Sequence, residues 1–447
     1  MRLDLGICGG TIITMDGKRP VIKDGGLLIQ DGEIVFVGNK SGLRKWGTAD
    51  QLIDGTGKFI FPGFINAHAH MFQVLFRNVG VDLDLLDWLR QVVWPLTTRL
   101  TKQEVYSAAR LGIVENIKSG VTCAVDNQYP QHYEEPLKAM DAFGFRGVLA
   151  CGYYEAGVPE EVRGEPTIAL KRCENLIRKY DKAGRGRLRV CPAPMHPCFT
   201  SEEIMVKSKE LAAKYDTYLH VHTAESERDV RMLVDKTGKR DIEFLHDLGV
   251  LDNRFLAIHS VNVTPREVNL LARSGSHVVH NPVSNMYLGS GVAPVPEFMR
   301  KQVNVALGTD GPASNCNQDL IETMKFAACL QKVHLRDPAI LSAREVLQMA
   351  TINGAKALGM EDRLGSIEVG KKGDLVLMDM FKPNTVHVYD PVGSLVYSAT
   401  SENVDTVIVD GNVLMQKRRI TFADEEAILM EAHEAAQRLL QRAGIRT

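Results

Sequence analysis

The sequence predicts an α/β chain built around a (β/α)8 TIM barrel, and three observations carry that expectation. Near-continuous apolar runs alternate with helical periods between residue 61 and about residue 365, the pattern of a parallel sheet covered by helices. Eight such runs occur, at 59–68, 121–127, 146–154, 188–195, 217–225, 254–262, 277–285 and 303–311, which is the strand number of a barrel. Finally, His68, His222, His259 and Asp310 all fall at the C-terminal ends of runs one, five, six and eight. A barrel carries its active site at that end, and core histidines scattered by chance would not gather there.

The elements follow in order. Residues 1–60 read as short strands separated by turns: GTIITMDG, GGLLIQDGEIVFVG and QLIDGTGKFI. The Asp-Gly pairs at 16–17, 31–32 and 54–55 are hairpin signals between β-branched residues. The same style returns in GDLVLMDM (373–380) and DTVIVDGNVLMQKRRIT (405–421), with another Asp-Gly at 410–411. Neither piece is large enough to bury a core alone. Residues 1–60 and 366–423 are therefore expected to form one small β-sandwich domain, with the barrel spanning 61–365. Helical periods inside the barrel include 102–120, 201–215 and 265–275. The segment 424–447 has the same periodicity and is expected to be a covering helix.

Composition narrows the function. The 447 residues are 45% hydrophobic and 24% charged, with a formal net charge of −2. No dense basic run is present, so neither nucleic acid nor an anionic membrane surface is expected as a partner. Lys417-Arg418-Arg419 reads as a solvated turn between strands. None of the eight cysteines forms a Cys-x-x-Cys pair. Cys123, Cys151 and Cys191 sit inside apolar runs, as reduced, buried thiols of a cytoplasmic protein would. The N-terminus lacks a basic region followed by a long apolar core, and no apolar run is long enough for a membrane span.

The chemistry begins at FPGFINAHAH. His68 and His70 stand two residues apart on a strand, so both imidazoles face the same way and can reach one ion. Further ligand candidates close strand-like segments: His222 in TYLHVHTAES, His259 in FLAIHSVN and Asp310 in VNVALGTDG. Three histidines and a carboxylate are a borderline-hard set suited to Zn²⁺ or Fe²⁺ with a water retained.

PGFINAHAH, HVHTAESE, AIHSVNV, HNPVSNMYLGSGVAPVP, GTDGPASN and the tail LGSIEVGKKGDLVLMD together resemble the amidohydrolase superfamily, in its branch of cyclic-amidine deaminases and triazine hydrolases. The resemblance implies His68, His70, His222 and Asp310 as ligands of one divalent ion, Zn²⁺ before Fe²⁺. It implies Glu225 and His259, with Asp310, as the catalytic groups. Two-metal members bridge their ions with a modified lysine at the end of strand four. Here that stretch is Pro192-Ala193-Pro194-Met195, which argues for a single ion.

The implied activity is hydrolytic deamination of a nitrogen heterocycle of triazine, aminopurine or pterin type. The alternatives are an S-adenosylhomocysteine, methylthioadenosine or adenosine deaminase, and a triazine dehalogenase. Nucleoside-deaminating relatives place a ribose-holding Glu after a Trp-Pro pair, where this chain has Thr97. They also carry Gly-Pro-His at the end of strand four, where this chain has Ala193-Pro194-Met195 followed by His196. Both departures favour a flat ring without ribose. SNMYLGSGVAPVPE and FINAHAHMFQVLFR resemble atrazine chlorohydrolase and melamine deaminase, whereas Gly311 matches the common deaminase pattern. Gln73, Trp88, Asn285 and Ser314 are the expected substrate contacts. A small-molecule substrate and a homo-oligomer, dimer or tetramer, complete the expectation.

Overall fold

The computed structural model describes residues 2–46, 48–129 and 131–445. Its central part holds two four-stranded parallel sheets. The first comprises β1 (Phe64–Ala69), β2 (Val121–Gln128), β3 (Arg146–Tyr153) and β4 (Leu188–Pro194), in sequential order. The second comprises β5 (Leu219–Thr223), β6 (Phe255–His259), β7 (His277–His280) and β8 (Asn304–Leu307), also sequential. Helices separate the strands and cover them, so the strands are almost wholly buried.

The sheets meet at both edges. The His222 amide donates to Met195 O at 3.2 Å across the β4–β5 edge, and the Asp310 amide donates to His68 O at 3.0 Å across the β8–β1 edge. Alternate residues of seven of the strands share one apolar cluster: Ile65 and Ala67, Cys123 and Val125, Val148 and Ala150, Cys191 and Ala193, Leu256 and Ile258, Val279, and Ala306. The period of two selects these side chains, because every second residue of a strand points the same way.

Two expected boundaries change. The run 59–68 is two strands, split at Gly63. Lys58–Pro62 pairs antiparallel with Leu375–Asp379 in a terminal sheet, and only Phe64–Ala69 joins the parallel sheet. A side chain at Gly63 would bring its Cβ within 2.1 Å of Thr122 Oγ1, so the crossing needs glycine. The run 277–285 ends at His280, and Pro282–Tyr287 is helical, since Pro at a first helical turn loses no hydrogen bond.

Both chain ends contribute to the remaining sheets. One has four strands, in the order Glu33–Asn39, Gly25–Gln30, Arg2–Cys8 and Thr48–Asp54. The other has seven, in which Lys58–Pro62 lies between Leu375–Asp379 and Thr11–Ile13. Ile7, Leu27, Ile29, Ile60, Leu375 and Ile408 share one core between them.

Asp31-Gly32 and Asp410-Gly411 close tight hairpins with both residues at positive φ, the backbone of a type I′ turn. Asp54-Gly55 does not make the expected hairpin. Its Asp caps Thr56 N at 2.9 Å, and the chain passes from one sheet into the other. Asp16-Gly17 sits in the longer loop joining Thr11–Ile13 to Val21–Ile22. The Lys417–Arg419 turn is tethered rather than merely solvated, because Arg418 Nη1 donates to Val404 O at 3.1 Å.

Arg146, buried at the start of β3, forks onto Asp374 with bonds of 2.8 and 2.9 Å, pinning the parallel sheet to the terminal one. The last helix, Glu425–Ala443, lies on Lys102–Lys118 through Lys118–Glu425 at 2.8 Å and the pairs Arg110–Glu431 and Arg442–Glu104. Among the described residues no helix is long and apolar enough to cross a membrane, and the eight cysteines are free thiols.

Candidate metal centre and its cavity

Strand periodicity and two strand ends assemble the centre. His68 and His70 leave the end of β1 on one face. His68 Nε2 lies 3.2 Å and His70 Nε2 3.3 Å from the same oxygen, Asp310 Oδ1, which the β8 end delivers. His222 comes from β5, its ring 4.9 Å from that of His68 and stacked on that of His70 at 5.6 Å. Donor atoms of His68, His70 and Asp310, and those of His68, His222 and His259, each lie within 4.8 Å of one another. All five residues are buried.

Backbone carbonyls orient the rings. His70 Nδ1 donates to Asn127 O at 2.7 Å, and His222 Nδ1 donates to Met195 O at 2.9 Å. Each bond fixes the tautomer and leaves an Nε2 lone pair facing inward. His68 Nδ1 meets His220 Nε2 at 3.0 Å, and its Nε2 is buried without a hydrogen-bond partner. Inward lone pairs, one orphaned buried nitrogen and a shared carboxylate oxygen are what a cation of zinc type requires, so the residues present fit a divalent ion.

Burial, with the neighbouring imidazole of His68, takes the His70 pKa down to about 4 and holds His222 well below its usual value. Burial works against the Asp310 carboxylate, but the histidines around it outweigh that and hold it well below the usual range. With proton affinity lowered at His70, His222 and Asp310, their inward-facing atoms are free to bind a cation.

Glu225 follows β5 and turns back toward the centre, with Oε2 3.4 Å from His259 Nε2. Its other oxygen is buried without a partner. Burial, with the carboxylates of Asp310 and Asp229, pushes the Glu225 pKa well above the ordinary carboxyl value. His259 Nδ1 accepts from Asn285 Nδ2 at 2.9 Å and lies 3.3 Å from Asn281 Nδ2, which leaves the Nε2 proton pointing at Glu225. Asp310 Oδ2 accepts from Ser284 at 2.6 Å and Ser314 at 3.2 Å. His259, at φ 69°, and Asp310, at φ 63°, hold left-handed backbone that side chains rarely adopt. Such strain persists only where the surroundings impose it.

A cavity opens onto this cluster. Gln73 and Trp88, expected as substrate contacts, are among the residues lining it, and Asn285 and Ser314 are not. The latter two stand on short helices, Pro282–Tyr287 and Pro312–Asn315, from which Asn285 Nδ2 donates to His259 Nδ1 and Ser314 Oγ to Asp310 Oδ2. Thr97 also stays out, its hydroxyl bonded to Val93 O at 2.6 Å. Leu85, Leu86, Trp88 and Leu89 give one apolar wall; Tyr129, Tyr154 and Phe199 give another.

Sequence reasoning left out His196, Asp229 and Asp241. His196 and Asp229 line the cavity, and His196 lies 3.1 Å from both carboxylates. It also passed over His220, although His220-x-His222 repeats the two-residue spacing of His68 and His70. Asp229 had no such signal, since Ser226-x-x-Asp229 reads as an ordinary helix cap.

The chain is 39% identical over 439 residues to a protein of Methanosarcina mazei named 5′-deoxyadenosine deaminase, covering 98% of this chain and 99% of that one. Its fold superposes with a TM-score of 0.93 on an adenosine deaminase from Xanthomonas campestris solved with bound zinc, 29% identical over 98% of this chain and 99% of the other. It superposes with a TM-score of 0.91 on atrazine chlorohydrolase from Arthrobacter aurescens, also solved with zinc, at 26% identity over 97% and 100%. The amidohydrolase family pattern matches residues 59–414, most of the chain. With a match of that extent over the strands that carry the histidines and Asp310, the chain belongs to the amidohydrolase family, hydrolases that act on carbon–nitrogen bonds.

Proposed function

We propose that the protein deaminates a 6-aminopurine nucleoside lacking an ordinary 5′-hydroxyl, of the 5′-deoxy- or 5′-thioadenosine kind, exchanging C–NH₂ for C=O and releasing ammonia. The observation that carries the hydrolytic part is the convergence of His68, His70, His222 and Asp310 beside the buried, partnerless oxygen of Glu225. The names of the Methanosarcina and Xanthomonas relatives support the nucleoside.

The same proposal includes zinc as the single ion, supported by the relatives solved with it and by the absence of lysine among the residues lining the cavity. It includes closure of the two parallel sheets into one (β/α)8 barrel, supported by the bonds at both sheet edges and the shared interior cluster. It also treats residues 1–60 and 366–423 as one composite β-domain, supported by the interleaving of their strands.

In this reading His68, His70, His222 and Asp310 hold the ion, which supplies the Lewis acidity that lets water ionise near neutral pH. Glu225 takes one proton of the attacking water and passes it to the ring nitrogen, where it stays, then carries the second, from the hydroxyl of the tetrahedral carbon, to the amine, which leaves as ammonia as the C=O forms. The raised proton affinity of its carboxyl suits a group that must hold that proton between steps. His259 offers its Nε2 proton to the incoming oxygen, and the amides behind it keep that tautomer in place. Trp88 and the apolar walls exclude water and seat the ring. Gln73 is placed to read a polar edge.

A second reading, a ribose-free aminotriazine or free aminopurine, rests on Thr97, whose hydroxyl is spent on Val93 O where a sugar-binding carboxylate would stand. Ammonia release from 5′-deoxyadenosine, methylthioadenosine, adenine and aminotriazines on one enzyme preparation separates the two. The nucleosides should lead in kcat/KM by at least tenfold. A lead of that size for a ribose-free ring would overturn the first reading in favour of the second.

A further inference from the structure

We infer that His196, Asp229 and Asp241 form a rigid frame that positions Glu225, so that they act on the reaction through the glutamate without themselves touching the reacting atoms. The inference rests on the proton-carrying role proposed for Glu225. Two carboxylates capture three successive amides of its turn. Asp241 Oδ1 accepts from Ala224 N at 3.0 Å, Asp229 Oδ2 from Glu225 N at 3.1 Å, and Asp229 Oδ1 from Ser226 N at 2.7 Å. His196 lies between the two acids, its Nε2 3.1 Å from Asp229 Oδ2 and 3.1 Å from Asp241 Oδ1. Its Nδ1 accepts from Cys198 N at 3.1 Å, which assigns the single ring proton to Nε2, between the carboxylates.

The opposite side of the turn is equally constrained. Ala224 O accepts from Val261 N at 3.0 Å and Asn262 N at 2.8 Å, while Glu225 O accepts from Asn262 Nδ2 at 2.9 Å. Every backbone polar group of Ala224 and Glu225 is thus occupied, and the side-chain oxygen of Glu225 alone is left for chemistry. Ala224 sits at φ 45°, a strained conformation that bonds on both sides can hold in place. Asp241 is fully buried, Asp229 and His196 nearly so.

Helix capping does not account for this. The Ser226–Asp229 box explains the Ser226 amide, but Asp241 opens a different helix, Asp241–Asp247, and His196 follows β4. Three separate elements converge on one turn. A carboxyl displaced by about 1 Å can lose two decades of rate, so relaxing the frame should appear in kcat.

The test uses the metal-loaded enzyme and the variants Asp241→Ala, Asp241→Asn, His196→Ala and Glu225→Gln. Asp241→Ala should lower kcat by about 10- to 100-fold, with KM within about threefold and metal per chain unchanged. Asp241→Asn keeps an acceptor for Ala224 N and should recover most of that loss, a rescue that loss of bulk stability alone would not produce. His196→Ala removes the imidazole between the acids and decides by the same criterion should Asp241→Ala fail to fold. Wild-type kcat in folded Asp241→Ala or His196→Ala, or a loss confined to KM, would overturn the frame. Full activity in Glu225→Gln would instead overturn the proton-carrier reading on which the frame rests.

Discussion

Gly311, directly after Asp310, offers a sharp test of how the cavity is built. Its backbone, at φ −83° and ψ 150°, suits any residue, so replacement brings no conformational penalty. Space is the constraint. A Cβ there would lie 1.9 Å from Gln73 Oε1 and 2.4 Å from its Cδ, where ordinary contacts begin beyond 3 Å. Gln73 is 1% exposed and its Oε1 accepts from Ala313 N at 3.3 Å, so the amide must retreat by more than 1 Å into packed surroundings and abandon that bond. Overpacking costs about 1–3 kcal/mol and an unsatisfied buried amide a similar amount, giving about 2–6 kcal/mol together. For a chain of this length that is a fall of about 2–6 °C in the thermal midpoint. The assay is a double-mutant cycle of Gly311→Ala and Gln73→Ala, read by thermal unfolding and by kcat/KM. Gly311→Ala alone should be costly, and in the Gln73→Ala background nearly neutral, a coupling of at least about 1 kcal/mol. Strict additivity, or a Gly311→Ala variant as stable as the parent, would refute the packing argument. A departure of Gly311→Ala in kcat/KM that vanishes without Gln73 would link this contact to substrate.

Removing a proposed ligand by His222→Ala should drop metal well below one ion per chain and abolish ammonia release; full metal content with activity would exclude His222 from the centre. His280, buried with both ring nitrogens unpartnered, has its pKa lowered by burial to about 3 from 6.5. The unfolded chain therefore binds a proton below pH 6.5 that the folded chain refuses, so this contribution is complete above pH 6.5 and lost as pH falls toward 3. Between pH 7.5 and 5.0 the loss is about 2 kcal/mol, and His280→Leu should shrink the acid-induced drop in the urea midpoint accordingly; an unchanged drop would contradict it. Arg146→Met should strand the buried carboxylate of Asp374 and cost about 3–5 kcal/mol, seen as an earlier thermal transition, while a neutral effect would show that the pin between the sheets is dispensable.

The strand ends were legible because their determinants are local. Near-continuous apolar runs specify strands buried on both faces, and a two-residue spacing places His68 and His70 on one side of β1 whatever the rest of the chain does. The covering helix and the Asp31-Gly32 and Asp410-Gly411 hairpins were legible for the same reason, since 3.6-residue periodicity and tolerance of positive φ are properties of a few consecutive residues. Only the tertiary structure decided where those signals apply. Gly63 breaks an apolar run because Thr122, nearly sixty residues away, leaves no room for a Cβ. Asp54-Gly55 fails as a hairpin because its flanking strands belong to different sheets.

The same division holds in the candidate site. Metal-binding potential is written into residue type and spacing, but the groups that orient it come from distant elements. Asn285 and Ser314 have side chains fit to contact a substrate, and the helices that carry them turn those side chains to His259 and Asp310 instead. His196, Asp229 and Asp241 carry no shared spacing because they meet only once β4 and two later helices are in place. Residue type and spacing set which chemistry the strand ends can hold. Burial and the tertiary hydrogen-bond network decided which polar groups face the cavity and which hold the others still.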